Sequence, residues 1–84
     1  MHYDFLMNNS DWVYIQDSIS MVVLRELRER KWTRRELAFR SGVDVKQISK
    51  LVNNRADWWL RDMWFISKAF GVPIDYLILK EDAA

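Results

Sequence analysis

Apolar residues in this chain recur every three to four positions far more often than every second one. Trp12, Ile15, Ile19, Val22 or Val23, and Leu27 trace one stripe, the mark of a helix with one buried face. The stripe predicts a first helix ending near Arg30. Ser10, Asp11 and Ser18 are all competent caps, so its start stays open between about Asp11 and Ser18. Thr33-Arg34-Arg35-Glu36 is a capping box, in which the Thr hydroxyl accepts from the residue 36 amide and the Glu carboxylate reaches back. A short second helix follows to Arg40, with Leu37 and Ala38 inward. Gly42 can take the left-handed conformation that ends it. Asp44-Val45-Lys46-Gln47 repeats the capping pattern and opens a third helix with Ile48 and Leu51 inward.

Asn53-Asn54-Arg55 then breaks the pattern. Leu60, Met63 or Trp64, Ile66 or Ser67, and Phe70 outline a fourth helix, closed by Gly71 with Pro73 beyond. Ile74 to Leu79 make a short fifth, and the tail from Lys80 to Ala84 is expected to fray. Only Trp12-Val13-Tyr14-Ile15 hints at alternation. The expected fold is all-α, a compact bundle of about five helices.

The 84 residues suit one small domain with a modest core. Trp32, Phe39, Trp64 and Phe70 sit at helical spacing beside other apolar residues and are expected in that core. Trp58 and Trp59 are adjacent and cannot both face one pocket. At least one of the two is therefore expected to be exposed, for an interface or for local packing. The opening MHYDFLMNNSDWVYIQ is too apolar for a disordered tail. It covers the bundle, or it pairs with a second copy or another protein.

Charge changes the picture more than composition does. Residues 1–24 carry three Asp and no Lys or Arg, and residues 25–55 carry ten Lys/Arg against four acids, a net +6. The rest carries three bases against five acids. A basic block between acidic flanks suits a polyanion partner, although (i, i+4) pairs such as Glu26–Arg30 and Glu36–Arg40 would also explain it. There is no cysteine, hence no disulfide and no thiolate metal site. No apolar run approaches the ~20 residues that span a bilayer, and the start does not resemble a secretion signal. A cytoplasmic protein is expected, with no cofactor and no metal. His2 has no evident partner, no nucleophile–base set is visible, and Glu26 and Glu29 alternate with arginines as surface ion pairs would. Catalysis is not expected.

Two short helices joined by a three- to four-residue turn containing glycine form a helix-turn-helix unit. The close crossing needs a small residue, the turn needs positive φ, and the second helix needs a branched apolar anchor. Ala38, Gly42 and Ile48 meet these needs, and Leu37, Val43 and Leu51 complete the buried set.

The run WTRRELAFRSGVDVKQISKLVNN, followed by LRDMWFISKAFGVPIDYLI, resembles the Cro/cI-type (XRE) helix-turn-helix domain of phage repressors and bacterial regulators. The likeness runs from about Asp17 to Leu79. It divides the chain into an aromatic N-terminal extension (1–16), a lambda-repressor-like DNA-binding domain (17–79) and a tail (80–84). It implies five helices, major-groove binding, and a homodimer on a pseudo-palindromic operator in double-stranded DNA. Asp44 replaces the usual Ser/Thr cap, Val52 stands where Glu is common, and Asn54 stands where Gly is usual. Trp58 and Trp59 occupy a loop that the family usually fills with small or polar residues.

The resemblance puts Val45, Lys46, Gln47 and Lys50 toward base edges. Lys can donate to guanine, Gln can pair two-ended with adenine, and Val can pack on a thymine methyl. Thr33, Arg34 and Arg35 at a helix N-terminus, with Ser49, Asn53 and Arg55, are candidates for phosphate contact. Trp58, Trp59, Ile78 and Leu79 are the candidate interface residues. The expected function is a small Cro-like repressor. The rival is a protein-interaction module of antitoxin or anti-repressor type, using the aromatic N-terminus with Trp58 and Trp59.

Overall fold

The computed structural model describes residues 9–79, with side chains from Ser10 to Ile78. Among them are five helices: α1 (Asn9–Arg30), α2 (Arg34–Ser41), α3 (Val45–Val52), α4 (Leu60–Phe70) and α5 (Ile74–Leu79). α1 packs on α3 and α5, α2 on α3 and α4, and α4 on α5. The expectations for residues 1–8 and for the tail fall outside the described residues.

α1 takes the earlier of the two starts left open by the sequence, beginning at Asn9. It runs unbroken across the 16/17 boundary, because nothing between Asn9 and Arg30 is a glycine or proline. Residues 9–16 form its first turns. Ile19, Val22, Val23 and Leu27 are buried, and Ile15 packs against them. Trp12 stays 41 % exposed.

The core joins this stripe to Leu37, Val43, Ile48, Leu51, Val52, Met63, Ile66, Phe70 and Leu77. Trp58 joins it too, at 3 % exposure, while Trp59 is 66 % exposed. The adjacent pair is split, one ring in and one out, and Trp58 offers no surface to a partner. Three further expectations are corrected. Phe39 is 85 % exposed, because Leu37 and Ala38 take the inward positions of α2. Trp64 is exposed, because Met63, Ile66, Ser67 and Phe70 fill the inner face of α4; its ring instead carries the Lys68 ammonium at 5.2 Å. Leu60, in the first turn of α4, is exposed as well.

Four of the five helices end at a residue in the left-handed conformation. Gly42 sits at φ 82° and donates its N–H to the Ala38 carbonyl. Gly71 sits at φ 75°, with its own N–H on Lys68 and that of Val72 on Ser67. Lys31 and Asn54 adopt the same left-handed conformation at φ 61° and 59°. They make the same paired bonds: Lys31 to Arg28 with Trp32 to Leu27, and Asn54 to Leu51 with Arg55 to Lys50. These are Schellman closures, which satisfy carbonyls the helix leaves open.

Two polar clusters hold the elements together. Glu26, expected at the surface, is buried. It accepts from Arg30 Nε at 3.0 Å and from the Tyr76 hydroxyl of α5 at 2.6 Å. Burial pushes the Glu26 carboxyl up, but the Tyr76 and Arg30 hydrogen bonds and the positive charges of Arg30 and Arg25 outweigh it and hold the pKa below 4.5. The bond to Glu26 raises the pKa of Tyr76. In the other cluster Trp32 stacks on Phe70, with ring centroids 5.7 Å apart. Arg40 lies 4.3 Å over Trp32, and Arg30 lies 4.9 Å over Phe70. Three arginines of the basic block, Arg25, Arg30 and Arg40, thus serve the fold.

Candidate nucleic-acid interface

Thr33 caps α2 as its sequence requires: Oγ1 accepts from the Glu36 amide at 3.0 Å. The return half of the box is absent, because the Glu36 carboxylate pairs forward with Arg40. The amides of Arg34 and Arg35 are left at the helix N-terminus, where the dipole favours an anion. Arg35 is exposed and Arg34 half-buried. Asp44 caps α3 through Lys46, whose amide it accepts at 3.0 Å.

Between these caps, α2 and α3 meet with Leu37, Ile48 and Leu51 fully buried and Ala38 packed against them. The inner face of α3 is thus spent on the core. Its outer face is a polar stripe: Lys46, Lys50 and Asn53, spaced four and three residues apart, are all exposed. Val45, Gln47 and Ser49 flank the stripe and are half-buried. Among the described residues, no other segment covers Lys46 or Lys50. The structure therefore gathers Lys46, Gln47 and Lys50 on one helix, with Asn53 at its C-terminal cap and Arg55 exposed just beyond.

The loop after α3 is tied to α1 by contacts the sequence did not announce. Gln16 Oε1 accepts from the Trp58 backbone N–H at 2.6 Å, and Gln16 Nε2 donates to Asp57 at 3.0 Å. One turn on, Ser20 Oγ accepts from the Trp58 indole at 2.9 Å. Its own proton has two acceptors in reach, the Leu51 carbonyl at 2.9 Å and Asn54 Oδ1 at 2.8 Å. Gln16 and Ser20 were the available signal: they are polar residues four apart on the face that also carries Val23 and Leu27. The tie fixes the exit of α3, and with it Asn53 and Arg55.

On the other flank, an open cavity of about 580 Å³ separates the Ser41–Asp44 turn from the start of α4. Gln47 enters it from α3 and Asp62 from α4, with Gln47 Nε2 3.3 Å from Asp62 Oδ2. Val43, Trp59 and Phe65 form its apolar lining. Ile78, another candidate interface residue, is 36 % exposed on α5, and the Leu79 side chain lies outside the described residues.

A small all-α domain whose second and third helices meet at a glycine turn, with the third facing outward, belongs to the helix-turn-helix class of DNA-binding proteins. The helix-turn-helix family profile matches residues 24–77. The chain belongs to the Cro/cI-type (XRE) helix-turn-helix family, whose members are DNA-binding regulators. Comparison with curated proteins and with solved structures returned no match to either. No helix among the described residues is long and apolar enough to cross a membrane.

Proposed function

We propose that this chain is a sequence-specific transcriptional regulator, a small Cro-like repressor, that inserts α3 into the major groove of its operator. The observation that carries this reading is the division of α3. Ile48, Leu51 and Val52 are buried, while Lys46, Lys50 and Asn53 form an exposed stripe on the opposite face. In this reading Val45, Lys46, Gln47 and Lys50 meet base edges. Thr33, Arg34, Arg35, Ser49, Asn53 and Arg55 grip phosphates on either side. The protein then works in the cytoplasm, on the nucleoid.

Base and backbone contacts respond differently to truncation. Lys50→Ala is expected to relax base preference at one operator position by ~1–3 kcal/mol, while Arg34→Ala weakens all sequences alike. Binding of both variants across a library of operator-length duplexes measures this. Indistinguishable profiles would reject the assignment of roles.

A homodimer on a pseudo-palindromic operator fits the exposed Trp59 and Ile78. Sedimentation of the chain alone and on its selected duplex tests it, and a single-chain mass in both states overturns it. The rival reading, a protein-interaction module, draws on the aromatic N-terminal side and the exposed Trp59. Tyr14, Met21 and Leu24 line a groove of about 440 Å³ along α1. Trp58, buried in the core, has no part in that surface.

A further inference from the structure

The Gln47 amide is held by the neighbouring helix. Its Nε2 lies 3.3 Å from Oδ2 of Asp62, a residue in the first turn of α4, and both line the same open cavity beside the turn. A carboxylate offers only acceptor lone pairs, so the nitrogen end of the amide must face it. Turning the amide over would set its carbonyl oxygen against an anion. Gln47 therefore has one N–H and one carbonyl oxygen left to offer a third group.

We propose that Asp62 is a positioning residue that sets the Gln47 amide to read adenine and to reject guanine. The proposal rests on the reading that α3 enters the major groove. Adenine presents there an N7 acceptor and an N6 donor, which match one N–H and one oxygen. Guanine presents two acceptors, N7 and O6. Satisfying both takes two N–H groups from Gln47, and Asp62 engages one of them. The carboxylate adds a repulsive element, since its charge stands near guanine's acceptor-rich edge. An acid in the first turn of α4 also complements the helix dipole. A purely structural Asp62 would act through that effect alone, and its loss would not change which base is chosen.

Selection of duplexes from a random pool by the full chain and by the D62A, D62N and Q47A variants separates these roles, with thermal melting of each variant alongside. The wild type is expected to select an adenine at one position per half-site, and Q47A to lose that preference. D62A is expected to admit guanine there, narrowing the adenine-to-guanine ratio by roughly tenfold, on the scale of one two-ended contact, with other positions unchanged. D62N keeps an acceptor oxygen but adds a donor and removes the charge, so its adenine-to-guanine ratio is expected to fall between those of the wild type and D62A. If D62A selects the wild-type motif, or weakens every position alike, the positioning role is overturned while the DNA reading stands. A Q47A motif identical to the wild type also overturns it. If the wild type selects no motif at all, the DNA reading itself fails and takes this proposal with it.

Discussion

Lys31 and Asn54 carry side chains through a backbone region that usually belongs to glycine. The chain has only two glycines, and both are already used at the ends of α2 and α4. Asn54 offsets its strain, because asparagine tolerates the left-handed region and its Oδ1 meets Ser20. Lys31 has no such local compensation. It is held at φ 61° because the Trp32 amide bonds to the Leu27 carbonyl while the Trp32 ring stacks on Phe70. Lys31→Gly is therefore expected to stabilise the fold by about 1 kcal/mol. Urea unfolding measures it, and a variant of lower stability would contradict the strain argument. The contrast shows what was legible at this scale. Gly42 and Gly71 announce a turn by their chemistry, whereas a lysine does not. Lys31 bends because of a tertiary contact that only the folded chain contains.

The individual helices show how far periodicity reaches. On α3 the inward positions of Ile48 and Leu51 were readable, but the burial of Val52 and the half-buried place of Gln47 beside Asp62 were not. On α2 and α4 the period located the helices but mis-sorted Phe39, Trp64 and Leu60. Apolar residues there adjoin inward positions, and the period does not distinguish the centre of a face from its flank. The buried Glu26 was also hidden, because its partner Tyr76 lies fifty residues away on α5. That pair gives the α1–α5 contact a pH dependence. The Glu26 pKa is lowered in the fold, so the unfolded chain takes up the proton first as pH falls. The stabilisation is present above about 4.5, the ordinary value for the group, and is lost as pH drops through the lower folded value. Glu26→Gln is expected to destabilise by ~1–3 kcal/mol at neutral pH, through the weakened bonds to Arg30 and Tyr76, and to flatten the acid limb. Denaturation midpoints between pH 7 and pH 3 test this, and an unchanged acid limb would remove Glu26 as its source.

For the molecule as a whole, the charge block was legible but its division of labour was not. Arg30 and Arg40 are engaged with Trp32, Phe70 and the acids Glu26 and Glu36. Arg35, Lys46, Lys50 and Arg55 remain exposed around the helix-turn-helix. Of the residues assigned to phosphates, Arg34, Arg35 and Arg55 are cationic, and log K for duplex DNA falls with log salt by ~0.9 per phosphate they neutralise. Three per chain therefore predict a slope of about −3 for each chain bound, read by titration at several salt concentrations. A flat response would remove the electrostatic part of the account.

The central claim is that the outer stripe of α3 meets the bases. Amide chemical-shift mapping of the isotopically labelled full chain, titrated with the best duplex selected from a random pool, tests it most directly. The account predicts the largest changes from Val45 to Lys50 and at Arg34 and Arg35, with the Tyr14–Met21 side of α1 nearly still. Changes concentrated along α1, with Lys46, Gln47 and Lys50 unmoved, would contradict it.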